Sequence, residues 1–252
     1  MTETAASRVI FSILGVVVRP TLNLMMRKEW QGAERLPRNS GFIVCPNHVT
    51  EIDPLIVSHY LFNQGVMPRF LAKASLFRVP VMGSLLRTIG QVPVERTTAG
   101  ANKSLEAARA ALASGGGIII YPEGTLTRDP EMWPMKGHTG AARLALQTKA
   151  PVVPMAHWGA HEVFPPYAKR LHLFPRKTSK VTVGEPVDLS EFDGLPITRA
   201  TLDAATNKIL DAITVLLAEL RQEKPPAQRW DASAQPQKRT GRDPRAHGEG
   251  TA

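Results

Sequence analysis

Short apolar blocks recur along this chain, separated by glycine, proline and polar residues. Their length and the residues that bound them are typical of buried strands. The predicted strands are residues 41–45, 69–72, 91–95, 118–122, 151–156 and 180–186.

The segments between these blocks have the residue pattern of helices. Residues 102–114 are the clearest case, because Leu105, Ala108 and Leu112 fall at helical spacing. Asp53 is predicted to cap another helix, which Pro54 would begin. Further helices are predicted at residues 81–89, 137–150 and 202–220. Strands that alternate with helices indicate a single α/β domain, with a largely parallel or mixed central sheet flanked by helices.

The N-terminal segment, residues 1–28, is predicted to lie in a membrane interface. Its apolar run at residues 9–18 is short, whereas a bilayer-spanning helix needs about 20 residues. A longer span would place Arg19 within the membrane, at a cost of roughly 2.5–3.5 kcal/mol. We therefore predict two short amphipathic helices, broken at Pro20 and anchored at the interface. The alternative is a helix packed on the protein's own core. The apolar faces comprise Ile10, Phe11, Leu14 and Val17 in the first helix, and Leu22, Met25 and Met26 in the second.

The composition of the chain changes near residue 222. Residues 29–221 contain every predicted strand and all the helices outside the N-terminal segment, and form the predicted domain. Residues 222–252 are rich in proline, charged and polar residues. Because their few apolar side chains cannot offset the entropy lost on ordering, they are predicted to form a disordered basic tail.

The charge balance favours an anionic partner. The formal net charge is +9 and the sequence pI is about 10.0, which suits a nucleic acid, an acidic membrane surface or a phosphorylated substrate. The single cysteine, Cys45, rules out a disulfide framework and is consistent with a reducing, cytosolic setting.

A histidine and an aspartate in the stretch VCPNHVTEIDP form a candidate acid–base pair. His48 and Asp53 are five residues apart, so on a continuous helix their side chains would point in different directions. They can meet only if His48 lies in the loop after the strand at 41–45 and the chain folds back to Asp53. A neutral histidine could then act as a general base, with the carboxylate fixing its tautomer. The spacing alone is a weak signal, and a simple helix cap is the alternative.

Two more polar residues follow predicted strands directly. Glu123 comes just after the strand at 118–122, and Arg96 just after the strand at 91–95. For Glu123 the alternative is an ordinary turn, and for Arg96 it is a solvated arginine. Because the carboxyl ends of parallel strands share one edge of a sheet, His48, Arg96 and Glu123 are expected to lie near one another, where ligands usually bind.

With these residues in place, the sequence resembles the glycerolipid acyltransferase family, and most closely the 1-acylglycerol-3-phosphate acyltransferases. Four blocks occur in the family's order over about residues 25–190. They are N-H-x4-D at His48 and Asp53, G-x5-R at Arg96, Y-P-E-G-T at residues 121–125 and an apolar V/P run at residues 151–154. Lys73, before the second block, also matches. Four ordered blocks are far more specific than any one of them.

The resemblance implies transfer of an acyl group from a thioester to the free hydroxyl of an acceptor. His48 would deprotonate the hydroxyl and Asp53 would orient His48. Arg96, helped by Lys73, would hold the acceptor phosphate. Glu123, Gly124 and Thr125 would help to bind the glycerol part. The co-substrate would be acyl-CoA or acyl carrier protein, with no metal and no further cofactor.

One position departs from the family pattern and leaves the acceptor open. Many members have arginine directly after E-G-T, where this chain has Leu126, and Arg128 follows two positions later. Arg128 could replace the missing phosphate contact, or the acceptor could be glycerol-3-phosphate, another lysophospholipid or a glycolipid.

Two further function classes remain as alternatives, namely a thioesterase that uses Cys45 and a basic membrane- or nucleic-acid-binding protein. No nucleic-acid recognition motif is visible, so nucleic acid is not expected as a partner. The favoured interpretation is a peripheral enzyme on the cytoplasmic face of the cell membrane, in contact with an anionic lipid surface and a lysophospholipid acceptor.

Overall fold

The computed structural model describes residues 13, 15–16, 19–94 and 98–234. These residues form one α/β domain around a seven-stranded mixed sheet, as the sequence predicts. The strands are β1 (Met26–Gln31), β2 (Phe42–Pro46), β3 (Arg69–Lys73), β4 (Val92–Val94), β5 (Gly117–Ile119), β6 (Val152–Trp158) and β7 (Lys177–Val183), in the spatial order β1-β7-β6-β2-β5-β3-β4.

Strand direction decides what meets at each edge of the sheet. The strands β2 to β6 are mutually parallel, so their carboxyl ends share one edge, which we call the carboxyl edge. Strand β7 runs antiparallel to β6, and β1 runs parallel to β7. The segments that lead into β7 and β1 therefore also lie at the carboxyl edge.

Helices cover both faces of the sheet. They are α1 (Asp53–Asn63), α2 (Pro80–Thr88), α3 (Thr98–Ala113), α4 (Gly140–Thr148), the short α5 (Ala160–Val163) and α6 (Arg199–Arg221). Alternate side chains of β2 enter opposite cores, as the two-residue period of a strand requires. Ile43 and Cys45 pack with α3, α4 and α6, whereas Phe42 and Val44 pack with α1.

Strand β1 is not among the strands predicted from the sequence. Residues 19–25 are helical, but Met26, expected on the apolar face of a second short helix, begins a strand paired with β7. Leu22 and Met26 are buried in the domain core. So short an apolar stretch fits both the helical and the strand periodicity, and only the pairing with β7 shows that it is a strand. The predicted boundary after residue 28 therefore falls inside an edge strand of the sheet.

The anchor prediction itself falls mostly on residues outside the described ranges, including residues 17–18 beside the predicted break at Pro20. Among the helices in the described part of the chain, none is long and apolar enough to cross a membrane.

Part of the predicted tail contacts the domain in the described residues. Residues 229–231 contact the domain, where the carbonyl oxygen of Trp230 accepts a hydrogen bond from the backbone amide of Lys136. The Lys136 ammonium also forms an ion pair with Asp231 at 2.6 Å. Composition cannot show such partners, because they are supplied by a distant segment. Residues 235–252 lie outside the described ranges.

Candidate active site

His48 and Asp53 meet at the carboxyl edge. His48 lies in the loop that follows β2, and Asp53 is the first residue of α1. The His48 Nδ1 atom is 3.0 Å from Asp53 Oδ2. The aspartate side chain is completely buried, and the histidine side chain is 15% exposed. The chain thus folds back as predicted, so that a buried carboxylate orients a partly open imidazole.

Asp53 holds the loop rather than the helix end. Its Oδ2 atom also accepts hydrogen bonds from the backbone amides of Val49 at 2.6 Å and Thr50 at 2.8 Å. Ile52 occupies the cap position of α1, and no side chain caps the helix. The predicted cap role of Asp53 is therefore wrong. One oxygen serves the imidazole and two loop amides, while Oδ1 has no hydrogen-bond partner among the described residues.

Asn47 joins this loop to β6. Its side-chain amide donates to the carbonyl oxygen of His157 at 3.1 Å, and its Oδ1 accepts from the His157 backbone amide at 2.9 Å. The ring of His157 lies 2.8 Å, through Nε2, from the Asn47 carbonyl oxygen, and 3.7 Å from Asp53 Oδ2. Because a carbonyl can only accept, the Nε2 atom of His157 carries a proton.

The His48 ring is also held from one side. It stacks on the ring of Tyr121, with the centroids 4.0 Å apart. Since Nδ1 donates to Asp53, the Nε2 lone pair of neutral His48 is available as a base. No described residue makes a hydrogen bond with Nε2.

Glu123 is a buried connector between two loops. Its Oε1 atom accepts from the backbone amide of His48 at 3.3 Å, and Oε2 accepts from that of Met135 at 3.0 Å. Burial raises the pKa of Glu123 to about 8, although these amide donors act in the opposite direction. The side chain therefore positions the backbone around His48, which differs from the direct glycerol contact that the resemblance implies.

The residues after Glu123 line the edge beside His48. Gly124 is exposed and has a φ of +68°, in the left-handed region that favours glycine. Thr125 is half-buried and Leu126 is buried. The Thr127 backbone amide donates to the His48 carbonyl oxygen at 2.7 Å, so this segment is tied to the loop that carries His48.

The buried Leu126 cannot offer a charge to a phosphate, whereas the half-buried Arg128 can. Arg128 lies near Tyr167, where its charge opposes the rise in the pKa of Tyr167 that burial causes. Lys73 ends β3 at the carboxyl edge. Arg96 lies outside the described residues, although β4, which precedes it, ends at the same edge.

Cys45 points away from this chemistry. It is completely buried in the core beneath the sheet, and burial raises its thiol pKa far above the usual range. A thiolate nucleophile at this position is disfavoured. Within the ranges that the structure describes, no group of three or more histidine, cysteine or acidic side chains could hold a metal ion.

Sequence reasoning missed Asn47, His157 and Thr127 as parts of the site. Asn47 directly precedes His48, and His157 lies at the carboxyl end of β6. The rule that marked His48 and Glu123, a polar residue at the end of a parallel strand, could have marked His157 as well. Nothing local marks Thr127, because its role depends on a backbone contact with His48.

Comparison with known proteins identifies the family of this chain. Residues 27–158 match the protein family described as Acyltransferase. The chain is 32% identical over 192 residues to the 1-acyl-sn-glycerol-3-phosphate acyltransferase of Bacillus subtilis. The aligned region covers 75% of this chain and 87% of that protein. It is 26% identical over 188 residues to a chloroplastic 1-acyl-sn-glycerol-3-phosphate acyltransferase of Brassica napus, covering 74% of this chain and 51% of that one.

A solved structure shares the fold. The crystal structure of the 1-acyl-sn-glycerophosphate (LPA) acyltransferase PlsC from Thermotoga maritima matches with a TM-score of 0.64 at 18% sequence identity. The match covers 87% of this chain and 83% of that one. The family match and the Bacillus relative, together with the ordered blocks around His48, show that this chain belongs to the acyltransferase family.

Proposed function

We propose that this protein transfers a fatty acyl group from a thioester to the free hydroxyl of 1-acylglycerol-3-phosphate, giving phosphatidic acid. The observation that carries the proposal is the pair of His48 and Asp53, with Nδ1 engaged and Nε2 free of described partners. The relatives' printed names, which specify this acceptor, support the choice of substrate.

The reaction proceeds by direct attack of the acceptor hydroxyl. His48 Nε2 takes the hydroxyl proton as the oxygen forms a bond to the thioester carbonyl carbon. The resulting tetrahedral intermediate breaks its carbon–sulfur bond, and the thiolate takes the proton back from Nε2. Buried Asp53 stabilises the imidazolium that exists between these two proton transfers. Holding both substrates at one edge removes much of the entropy cost of their encounter.

The acceptor phosphate is held by cations around this edge. Arg96, which follows β4 in the sequence, is the main candidate, and Lys73 at the end of β3 is the second. A planar guanidinium suits phosphate because it can donate two parallel hydrogen bonds. Arg128 supplies the charge that Leu126 cannot. Gly124 and Thr125 contact the glycerol part, and Glu123 contributes by holding the backbone of His48.

The acyl donor is acyl-CoA or acyl carrier protein, and the enzyme acts at the cytoplasmic face of the cell membrane. The high net positive charge suits the anionic lipids of that surface. In this assignment the protein is peripheral, with its N-terminal segment at the interface.

The test is an acyl-transfer assay with labelled acyl-CoA, acyl carrier protein thioester and a panel of dissolved short-chain acceptors. We expect transfer to lysophosphatidic acid, and a fall of roughly 10²–10⁴-fold for His48→Ala with an unchanged melting temperature. The control is Val215→Ala, which truncates an exposed side chain on α6.

Two outcomes of this assay would change the assignment. Near-normal turnover in His48→Ala would refute the catalytic pair. Transfer to glycerol-3-phosphate or a glycolipid in preference to lysophosphatidic acid would keep the chemistry and change the acceptor, in line with the buried Leu126 at the usual arginine position.

A further inference from the structure

The segment between α5 and β7 contains an exposed mixture of basic and apolar side chains. Residues 169–176, with the sequence KRLHLFPR, are all exposed to solvent. Phe174 is 88% exposed and Leu171 is 50% exposed, next to the cations of Lys169 and Arg170. We call residues 169–174 the basic–apolar loop. Large apolar side chains in a row are rarely left in water without a binding role.

This loop lies at the same edge of the sheet as the catalytic pair. Strand β7 begins at the carboxyl edge, so the segment that enters it lies at the same edge as His48. The base of the segment is tied to the catalytic loop, where the Thr50 hydroxyl donates to the Phe164 carbonyl oxygen at 2.5 Å. The Tyr167 backbone amide also donates to Glu51 at 3.1 Å. Any partner surface that binds this loop would therefore lie near the edge of the sheet that carries His48.

The loop is also continuous with the N-terminal segment. The Arg176 guanidinium donates to the carbonyl oxygens of Asn23 and Met26, the latter at 3.2 Å. Leu24, between those two residues, is 79% exposed. The loop and the end of the N-terminal segment thus present apolar side chains from one joined region.

A second group of exposed apolar residues follows β3 at the same edge. These residues are Leu76, Val79, Val81 and Met82. In the strand order, β3 and β7 lie on opposite sides of β2, which carries the His48 loop. Apolar groups therefore occur on both sides of the catalytic histidine, as expected when one edge of a domain rests on a flat apolar layer.

We propose that the basic–apolar loop docks this domain on an anionic phospholipid bilayer, with Leu171, Leu173 and Phe174 entering the interface. Lys169 and Arg170 contact anionic headgroups, because basic and apolar side chains side by side match the two layers of a membrane surface. This inference rests on the proposed function, since a lipid acceptor must reach His48 from the bilayer. An acidic carrier protein would need a charged surface, but not protruding leucine and phenylalanine side chains.

The first test measures binding of the full chain to phosphatidylcholine vesicles, with and without phosphatidylglycerol. The variant Leu171→Ser/Phe174→Ser should bind at least about 10-fold more weakly than the parent, because both side chains lose apolar burial. The control is Leu195→Ser, since Leu195 is 51% exposed but lies near the opposite edge, close to the ion pair of Asp193 with Lys149 at the end of α4.

The electrostatic part is tested with charge reversal. Arg170→Glu should weaken binding to phosphatidylglycerol vesicles roughly 10-fold and have little effect on neutral vesicles. Arg109→Glu on α3 makes the same change of charge away from the loop, where the amide of its partner Gln147 can donate to the new carboxylate. Equal losses in both variants would show that only the overall charge matters, and would overturn the loop's role.

A fluorescent label tests insertion directly. Cys45 is completely buried and does not compete for a thiol reagent, so Phe174→Cys provides a single labelling site. A polarity-sensitive dye at this position should shift to shorter wavelength on adding phosphatidylglycerol vesicles, whereas the same dye in Leu195→Cys should not. No shift at position 174 would overturn the proposal.

Failure of this inference and failure of the proposed function give different results. If the protein does not transfer acyl groups, vesicle binding and the dye shift still report on the loop. If it does, the loop variants should keep parental turnover on a dissolved short-chain acceptor and lose it on vesicle-borne acceptor. Parental vesicle binding with loss of activity only on acyl carrier protein thioester would overturn the lipid assignment in favour of a protein partner.

Discussion

At the residue scale, the Oδ2 atom of Asp53 combines a chemical and a structural task. It accepts hydrogen bonds from His48 Nδ1 and from the amides of Val49 and Thr50. The two amides fix the loop conformation that brings the imidazole to the carboxylate. In the proposed mechanism, the position of the base and its electrostatic stabilisation therefore depend on the same oxygen.

Two substitutions at Asp53 separate these tasks. Asp53→Asn keeps an oxygen that can accept from the loop amides but removes the charge, so turnover should fall roughly 10²–10⁴-fold with a modest loss of stability. Asp53→Ala leaves the buried amides of Val49 and Thr50 without an acceptor, at roughly 1–3 kcal/mol each. Turnover and urea denaturation of both variants check this. Equal loss of stability in the two variants would contradict the structural task.

Glu123 predicts a pH dependence of stability. Its pKa is about 8 in the folded protein and 4.5 as an ordinary carboxyl. Between these values the folded state holds a proton that the unfolded state has lost. The contribution of Glu123 is therefore fully present below about pH 4.5 and is lost as the pH rises through about 8.

The measurement is urea unfolding of the parent and of Glu123→Gln across this pH range. We expect the free energy of unfolding to fall with rising pH more steeply in the parent, because glutamine does not titrate. Glu162→Gln, at an exposed position on α5, should leave the parental slope unchanged. Parallel curves for the parent and Glu123→Gln would show that Glu123 does not hold the proton.

At the scale of elements, the turn after β6 determines how β7 pairs with it. Gly159 has a φ of +97°, and a Cβ atom there would lie 1.9 Å from the Thr178 carbonyl oxygen in β7. The same turn follows His157, which is clamped to Asn47. The close approach of the two strands therefore supports the site as well as the sheet.

Gly159→Ala should consequently destabilise the protein strongly. Gly194→Ala is the matched control, since Gly194 has a φ of +75° with no neighbouring atom within 4 Å of an added Cβ. The control isolates the backbone cost of roughly 1–2 kcal/mol. Gly159→Ala should exceed it by at least about 2 kcal/mol in chemical denaturation, because a backbone oxygen must move. Equal losses would mean that the turn accommodates the methyl group.

At the scale of the whole molecule, the N-terminal segment contributes to both the fold and the proposed membrane surface. Leu22 and Met26 are in the core, and β1 pairs with β7 from Met26 onward. Deleting residues 1–18 should weaken vesicle binding and leave the melting temperature nearly unchanged. Deleting residues 1–28 should also lower the melting temperature, because it removes the first residues of β1. Vesicle binding that survives both deletions would refute the anchor prediction.

The sequence by itself determined the alternation of strands and helices, and with it the edge at which the chemistry lies. Residues 41–45 and 118–122 are recognisable as buried strands because their apolar character is local. The parallel arrangement then follows from the helices between them, and it places His48 and Glu123 together. Their proximity could be predicted because it depends only on where the parallel strands end.

Only the tertiary structure decided which atoms these residues contact. The clamp between Asn47 and His157 joins positions 110 residues apart, and no local pattern encodes such a pair. Asp53 could have capped a helix or held a loop, because a carboxylate accepts from any amide that the fold presents. Exposure of Phe174 and burial of Met26 were likewise settled by the path of the chain, since solvent contact depends on the packing of distant segments.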